Sequence, residues 1–318
     1  MDLLQVNNLK MYYETARGYV RAVDDVTFNL KKSYALGLAG ESGCGKTSVA
    51  LALLRLLPFN AKVMDGEIFL ENKSLLKMQI KEFKQEIRWK KISMIFQGAM
   101  NALHPFKKIG NQIAEPIVIH EKAKKKEALE RAGKLLDLVG IGAERIDRYP
   151  HELSGGMKQR SVIAMALACN PDIVIADEPT TALDVIIQAQ VLTVMEELQK
   201  KLNLSMLLIS HDLSLIAEVC HEVAIMYAGK IVECGDAVSI FKKGAHPYTQ
   251  KLVSAFPNIK DEKKEIASIG GFPPDLLNPP SGCRFHPRCQ HATEFCKKKE
   301  PILVQVDKEH YVACHLVG

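Results

Sequence analysis

The sequence predicts an α/β fold built on a parallel-sheet core, and three observations carry that expectation. Gly40-Glu41-Ser42-Gly43-Cys44-Gly45-Lys46-Thr47 reads G-x-x-x-x-G-K-T, the phosphate-binding loop signature. It lies between the apolar run Ala35–Ala39, which suits a buried strand, and the Leu/Ala-rich stretch from Ser48 to Leu57, which suits a helix. Further along, apolar strand-like runs alternate with helical patterns, as parallel α/β cores require. Finally, Ile173-Val174-Ile175-Ala176 runs into Asp177-Glu178-Pro179. That puts two carboxylates at the C-terminal end of a buried strand, the edge where ligands sit in open α/β sheets.

Glycines let the phosphate loop turn tightly and aim N–H groups inward, and the helix start behind it adds partial positive charge. Gly40, Ser42, Gly43, Cys44, Gly45, Lys46, Thr47 and Ser48 are therefore candidate nucleotide contacts. Lys46 suits the β- and γ-phosphates, and the Thr47 hydroxyl suits Mg²⁺. Asp177 suits holding Mg²⁺ through water, and Glu178 suits polarising the attacking water. Cys44, beside a helix start, is expected to have a lowered thiol pKa and to be alkylated with inhibition.

Composition is that of a globular protein of 318 residues: 47% hydrophobic, 25% charged, net charge +5. The lysines are scattered in short runs, so the basic balance does not by itself point to nucleic acid. No apolar run approaches the roughly 20 residues of a membrane span. The N-terminus lacks a basic region followed by an apolar core, which predicts a protein kept in the cytosol with its cysteines reduced.

Along the chain, residues 3–6 and 26–30 read as short strands, with a turn at Arg17-Gly18. Asp65-Gly66 is a hairpin signal ahead of a strand at 67–70. Residues 75–90 read as helical, and 92–96 as a strand ending at Gln97. A helix opens at Glu121 and ends at Gly140; another runs from Ser154 to Ala168. Gln188 to Lys201 is an amphipathic helix, and Leu204 to Ile209 a strand reaching His211. Ala228-Gly229 is a second hairpin signal. Residues 257–282 mix prolines, glycines and charges as a surface linker would.

Leu153-Ser154-Gly155-Gly156-Met157 places a serine and two glycines at a helix start, which suits an anion. Together with the phosphate loop and Asp177-Glu178, this stretch is similar to the signature motif of ATP-binding cassette (ABC) ATPases. Other positions fall in the family's order. Gln97 resembles the glutamine that joins Mg²⁺ and the attacking water, and His211 the switch histidine. Thr181-Ala182-Leu183-Asp184 resembles the loop at the dimer interface. Tyr13 is the match for the aromatic that stacks on adenine, with Tyr12 the alternative. The resemblance implies a P-loop NTPase with an antiparallel β subdomain and an inserted helical subdomain at about 101–168, the whole ATPase domain spanning 1–245. It also implies that two such subunits sandwich two ATP molecules, the phosphate loop of one meeting the Ser154-Gly155-Gly156 stretch of the other.

Phe96–Pro105, His246-Pro247-Tyr248-Thr249 and Gly282–Cys289 resemble the dipeptide and oligopeptide importer ATPases, whose nickel-importer relatives share part of the pattern. That resemblance implies a small cysteine-rich C-terminal extension over 246–318. It implies partners too: a second, non-identical ATPase subunit, two membrane permease subunits and an extracellular solute-binding protein, with this chain peripheral on the cytoplasmic face of the membrane and no role for nucleic acid. Cys283-x5-Cys289-x6-Cys296-x17-Cys314 offers four thiolates, which suit zinc or an iron–sulfur cluster. The resemblance favours a [4Fe–4S] cluster over Zn²⁺. Cys169, Cys220 and Cys234, in apolar surroundings, are expected to be inert core thiols.

Overall fold

The structure is a computed structural model, and it describes residues 2–181, 183–255 and 269–317. The chain forms two compact units, one made of 1–31, 35–76 and 209–318, the other of 32–34 and 77–208. The first unit opens with β1 (Asp2–Thr15) and β2 (Gly18–Lys31), long antiparallel strands joined by a tight turn. β3 (Ala35–Ala39) leads through the glycine loop into α1 (Lys46–Leu53), and β4 (Ala61–Leu70) and β5 (Lys73–Ser74) follow. These strands alternate apolar residues toward a buried face lined by Leu4, Val6, Met11, Val26, Leu30 and Ile68. β3 is buried along its whole length, the pattern of a strand covered on both faces.

The second unit contains α2 (Ile80–Glu86), β6 (Ile92–Ile95), α3 (Ile109–Glu121), α4 (Lys125–Leu138), α5 (Gly155–Ala166), β7 (Ile173–Asp177), α6 (Val185–Leu202) and the larger part of β8 (Ser205–Ser210), whose last two residues count with the first unit. β6 and β7 pair in parallel, and α3, α4 and α5 pack on one another. The chain then returns to the first unit with α7 (Leu213–Val219), β9 (Glu222–Tyr227), β10 (Lys230–Asp236), α8 (Ala237–Lys243), α9 (Pro247–Ser254), α10 (Glu294–Lys298), β11 (Val304–Asp307) and β12 (His310–Val312). β3 pairs in parallel with β9, β9 and β10 form the hairpin expected at Ala228-Gly229, and β12 adds antiparallel to β10. Among the described residues no helix is long and apolar enough to cross a membrane.

Two expectations are corrected. Asp65-Gly66 is not a hairpin: β4 runs straight through it, paired with β1. Gly66 lies opposite an irregularity in β1, and a Cβ there would come within 2.6 Å of the Leu9 Cα. This glycine marks a bulge with close backbone approach, not a chain reversal. The helix expected to open at Glu121 opens instead at Lys125, as α4; Glu121 is the last residue of α3. Lys122, with φ +57°, separates α3 from α4, and α3 carries the buried Pro116 within it. α3 is not among the helices read from the sequence, and a proline is locally unfavourable inside a helix. The part of the proposed linker from 257 to 268 lies outside the described residues.

Candidate active site

In the first unit the glycine loop bridges β3 and α1. A Cβ at Gly40 would stand 2.1 Å from the Met226 carbonyl oxygen, and one at Gly45 would stand 1.9 Å from that of Ala22. Glycine is therefore required at both positions by backbone proximity, and the positive φ at Gly45 adds to that requirement. Gly43, by contrast, faces open space. The Lys46 ammonium is buried and donates to the carbonyls of Gly40 (2.7 Å) and Glu41 (3.0 Å). Those two carbonyls replace water around a cation that stands ready for a stronger, anionic acceptor. Ser42 and Thr47 are exposed. The Ser48 hydroxyl lies 3.0 Å from the Tyr13 hydroxyl, so Tyr13 stands beside the start of α1. Tyr12 is committed elsewhere: its hydroxyl donates to the Asp24 carboxylate at 2.6 Å, and burial together with that bond pushes its pKa up to about 12.

The expectation for Cys44 is overturned. Its thiol is buried, and burial raises its pKa above the ordinary value, outweighing the opposing effect of Lys46. Proximity to a helix start does not lower a thiol pKa when the sulfur has no access to water. Cys169 and Cys220 are buried as expected, Cys234 is partly so, and burial raises all three thiols.

His211 is exposed directly after β8. The residue that follows it, Asp212, caps α7 by accepting from the Ser214 N–H at 2.8 Å. The cap fixes where the chain leaves the strand.

In the second unit Asp177 is buried at the end of β7. Glu178 follows in the left-handed region, at φ +47°, a conformation that costs energy for a residue with a Cβ. Its carboxylate accepts from Gln97 Nε2 at 2.9 Å and from Thr181 Oγ1 at 3.1 Å. The fold thus joins Gln97 and Glu178, which lie far apart in sequence. Reading the sequence had missed the part played by Thr181; its position three residues after the acid, in a turn, was the available signal. Ser154 caps α5, its hydroxyl accepting from the Met157 N–H at 3.4 Å. Ser154 and Gly155 are exposed, whereas Gly156 is buried, and a Cβ there would come within 2.7 Å of the Ile187 side chain. Asp184 in turn caps α6 by accepting from the Ile187 N–H at 3.0 Å, while Ala182 lies outside the described residues.

In the extension, Cys283, Cys289, Cys296 and Cys314 line a single cavity with room for about 10 Å³. Burial pushes the Cys283 thiol up to about 11, and the other three sulfurs push in the same direction. His246 also lines this cavity. Its Nδ1 accepts from the Tyr248 N–H at 3.0 Å, while its buried Nε2 has no hydrogen-bond partner among the described residues. As they stand, no three or more His, Cys, Asp or Glu side chains among the described residues are placed to hold a metal ion.

Comparison with known proteins accounts for both the core and the extension. The ABC transporter family model matches residues 23–181, and the model of the oligopeptide/dipeptide transporter C-terminal region matches 232–296. The chain is 45% identical over 317 residues to the dipeptide transport ATP-binding protein DppD of Bacillus subtilis, covering 99% of this chain and 94% of that protein. It is 46% identical to the oligopeptide transport ATP-binding protein OppD of the same organism, covering 99% and 89%. Among solved structures, cbiO1 from Clostridium perfringens, part of an ABC transporter complex, superposes with a TM-score of 0.66 at 25% identity, covering 76% of this chain and 91% of that one. A dimeric bacterial ABC transporter cassette superposes with a TM-score of 0.65 at 24% identity, covering 74% and 98%, and shares the fold. A glycine loop around a buried lysine, an acid pair closing a buried strand and a capped Ser-Gly-Gly helix start are thus explained by one ancestry: the chain is an ATP-hydrolysing subunit of the ABC transporter family, of the kind that carries the oligopeptide/dipeptide transporter C-terminal region.

Proposed function

We propose that this chain hydrolyses ATP to power the uptake of dipeptides or oligopeptides through a membrane permease. The relatives named for dipeptide and oligopeptide transport, matched over nearly the whole chain, support that substrate class. In this reading Tyr13 stacks on adenine, and the phosphate loop with Ser48 holds the phosphates. Lys46 exchanges its two loop carbonyls for phosphate oxygens. Thr47, Asp177 and Gln97 offer the oxygen donors that Mg²⁺ takes, and the ion when bound neutralises charge on the β- and γ-phosphates. Glu178 accepts a proton from the attacking water, and His211 contacts the γ-phosphate side. Ser154, Gly155 and Gly156 cover the ATP of a second, non-identical ATPase subunit. The other partners are two permease subunits and an extracellular solute-binding protein, with this chain peripheral at the cytoplasmic face and not engaged with nucleic acid.

The observation that carries the hydrolytic reading is the Glu178 carboxylate, held by Gln97 and Thr181 on a backbone at φ +47°. A general base is worth roughly 10²–10⁴ in rate. Glu178→Gln, in the assembled transporter, is expected to lower ATP turnover by about that factor and to abolish labelled-dipeptide uptake, while ATP binding is retained. Unchanged turnover overturns the assignment.

For the extension we propose a [4Fe–4S] cluster on Cys283, Cys289, Cys296 and Cys314, with Zn²⁺ as the alternative. Four thiols around one cavity suit soft-metal ligation, and the orphaned His246 N–H beside them suits donation to a sulfur. The cavity must widen to admit a cluster. Anaerobically purified protein is expected to be coloured and to contain iron and sulfide in near-equal amounts. Colourless protein with stoichiometric zinc overturns the cluster.

A further inference from the structure

We infer that Arg288, contributed by the cysteine-rich extension, is a positioning residue of the nucleotide site, holding the phosphate loop through Glu41. The inference rests on reading residues 40–47 as the ATP phosphate loop. Arg288 Nη1 and Nη2 donate to the two Glu41 carboxylate oxygens at 2.6 and 2.9 Å. A fork of this kind fixes direction as well as distance, and the Arg288 side chain is only 5% exposed. Its guanidinium lies 5.8 Å from the Tyr227 ring centre, and its Nε donates to the Gly270 carbonyl at 3.0 Å. The extension grips Glu41 a second time, where the Glu41 N–H donates to the Tyr248 hydroxyl at 3.0 Å. The Glu41 carbonyl is one of the two that hold Lys46. The carboxylate and the N–H of this one loop residue are therefore set by the extension, and its carbonyl by the phosphate-binding lysine.

When Lys46 turns to the phosphates it gives up the Gly40 and Glu41 carbonyls, and the loop loses the ammonium that tied it. Arg288 and Tyr248 remain. They keep the first turn of the loop in place through binding, so the cost of ordering it is met before ATP arrives. Arg288 is itself seated by the short turn His286–Arg288 that precedes Cys289, with its N–H donating to the Phe285 carbonyl at 3.0 Å. A merely structural clasp makes a different prediction: loss of thermal stability with no change in nucleotide affinity.

The test is equilibrium binding of the non-hydrolysable analogue AMP-PNP, with Mg²⁺, to the full chain. Arg288→Gln is expected to raise Kd roughly tenfold, about 1.4 kcal/mol. Arg288→Lys, which keeps the charge and loses the fork, is expected to raise it less. Glu41→Gln is expected to match Arg288→Gln, and the double variant to be no worse than either single one, because both remove the same contact. If Arg288→Gln does not fold, Glu41→Gln carries the test from the less buried side of the pair. Wild-type affinity in a folded Arg288→Gln or Glu41→Gln, or fully additive losses, overturns the inference. Lys46→Ala separates the two readings: it must abolish binding if the phosphate-loop reading holds, and binding that survives it counts against that reading instead.

Discussion

Single residues in this protein take their chemistry from what surrounds them, and Cys44 and Lys46 show it two positions apart. Lys46 is buried yet solvated by two carbonyls, so its charge is tolerated and available. Cys44 is buried with its sulfur cut off from water, so its thiolate is disfavoured. A thiol raised by burial holds little thiolate near neutral pH, and the thiolate is the species that reacts. Folded protein treated with N-ethylmaleimide at pH 7.5 is therefore expected to leave Cys44 unlabelled. Labelling should rise as the pH approaches and passes the raised thiol value, and become complete on denaturation, as read by peptide mass spectrometry. Fast labelling of Cys44 at pH 7.5, blocked by ATP, contradicts the burial argument. Glu178 is the opposite case, a partly accessible acid in a strained backbone, fixed by two donors.

At the scale of elements, caps and close approaches decide where segments begin and how they fit. Ser154 starts α5, Asp184 starts α6 and Asp212 starts α7, each by accepting a backbone N–H, so three helices that begin at or beside candidate site residues have defined origins. The Ser154 start is legible in the sequence because a cap is a local matter of one side chain and the next few N–H groups, whereas the helix expected from Gln188 begins earlier, at Val185, and α7 has no counterpart in the sequence reading. Gly156 is different. Its sequence context suggests an anion-binding turn, but its lack of a Cβ also lets α5 sit against Ile187 at the start of α6. Gly66 reads as a turn and Pro116 is locally unfavourable in a helix, yet both lie inside continuous elements. Pairing with β1 absorbs Gly66, and helix packing buries Pro116. Local propensity is a weak prior that tertiary context overrides.

At the scale of the molecule, contacts across long stretches of chain fasten the extension to the rest of the first unit. Arg284 pairs with Asp24 across 260 residues and also donates to the Ala228 carbonyl. The Glu233 carboxylate, fully buried, bonds His310 Nε2 at 2.8 Å and the N–H groups of Ala245 and His246, at 2.7 and 3.0 Å. Burial alone would raise the Asp24 pKa, but the Tyr12 hydroxyl and the Arg284 charge outweigh it and hold the carboxyl below its ordinary value. The pair's stabilisation is therefore complete above the unfolded carboxyl value, near pH 4, and is lost as pH falls through the lower folded value. Asp24→Asn strands the Arg284 charge and is expected to cost about 3–5 kcal/mol at neutral pH. Thermal unfolding should show the gap between wild type and variant narrowing below about pH 4. A gap that stays constant down to pH 3 shows that Asp24 does not carry it.

The sequence by itself determined the phosphate loop, the acid pair after its strand, the capped Ser-Gly-Gly start and the order in which they occur. Each of these is a contiguous stretch whose chemistry depends on neighbours a few residues away. Only the tertiary structure decided that Gln97 and Thr181 hold Glu178, that Cys44 is shut away from water, and that Arg288 reaches back to Glu41 across 247 residues. No periodicity or spacing encodes such pairs, because they are made by strands and turns that meet only when the chain has folded. Arg284 and Arg288 lie in sequence between two of the candidate metal ligands, Cys283 and Cys289. Buried and opposed to Asp24 and Glu41, they tie the extension to β2 and to the glycine loop between β3 and α1.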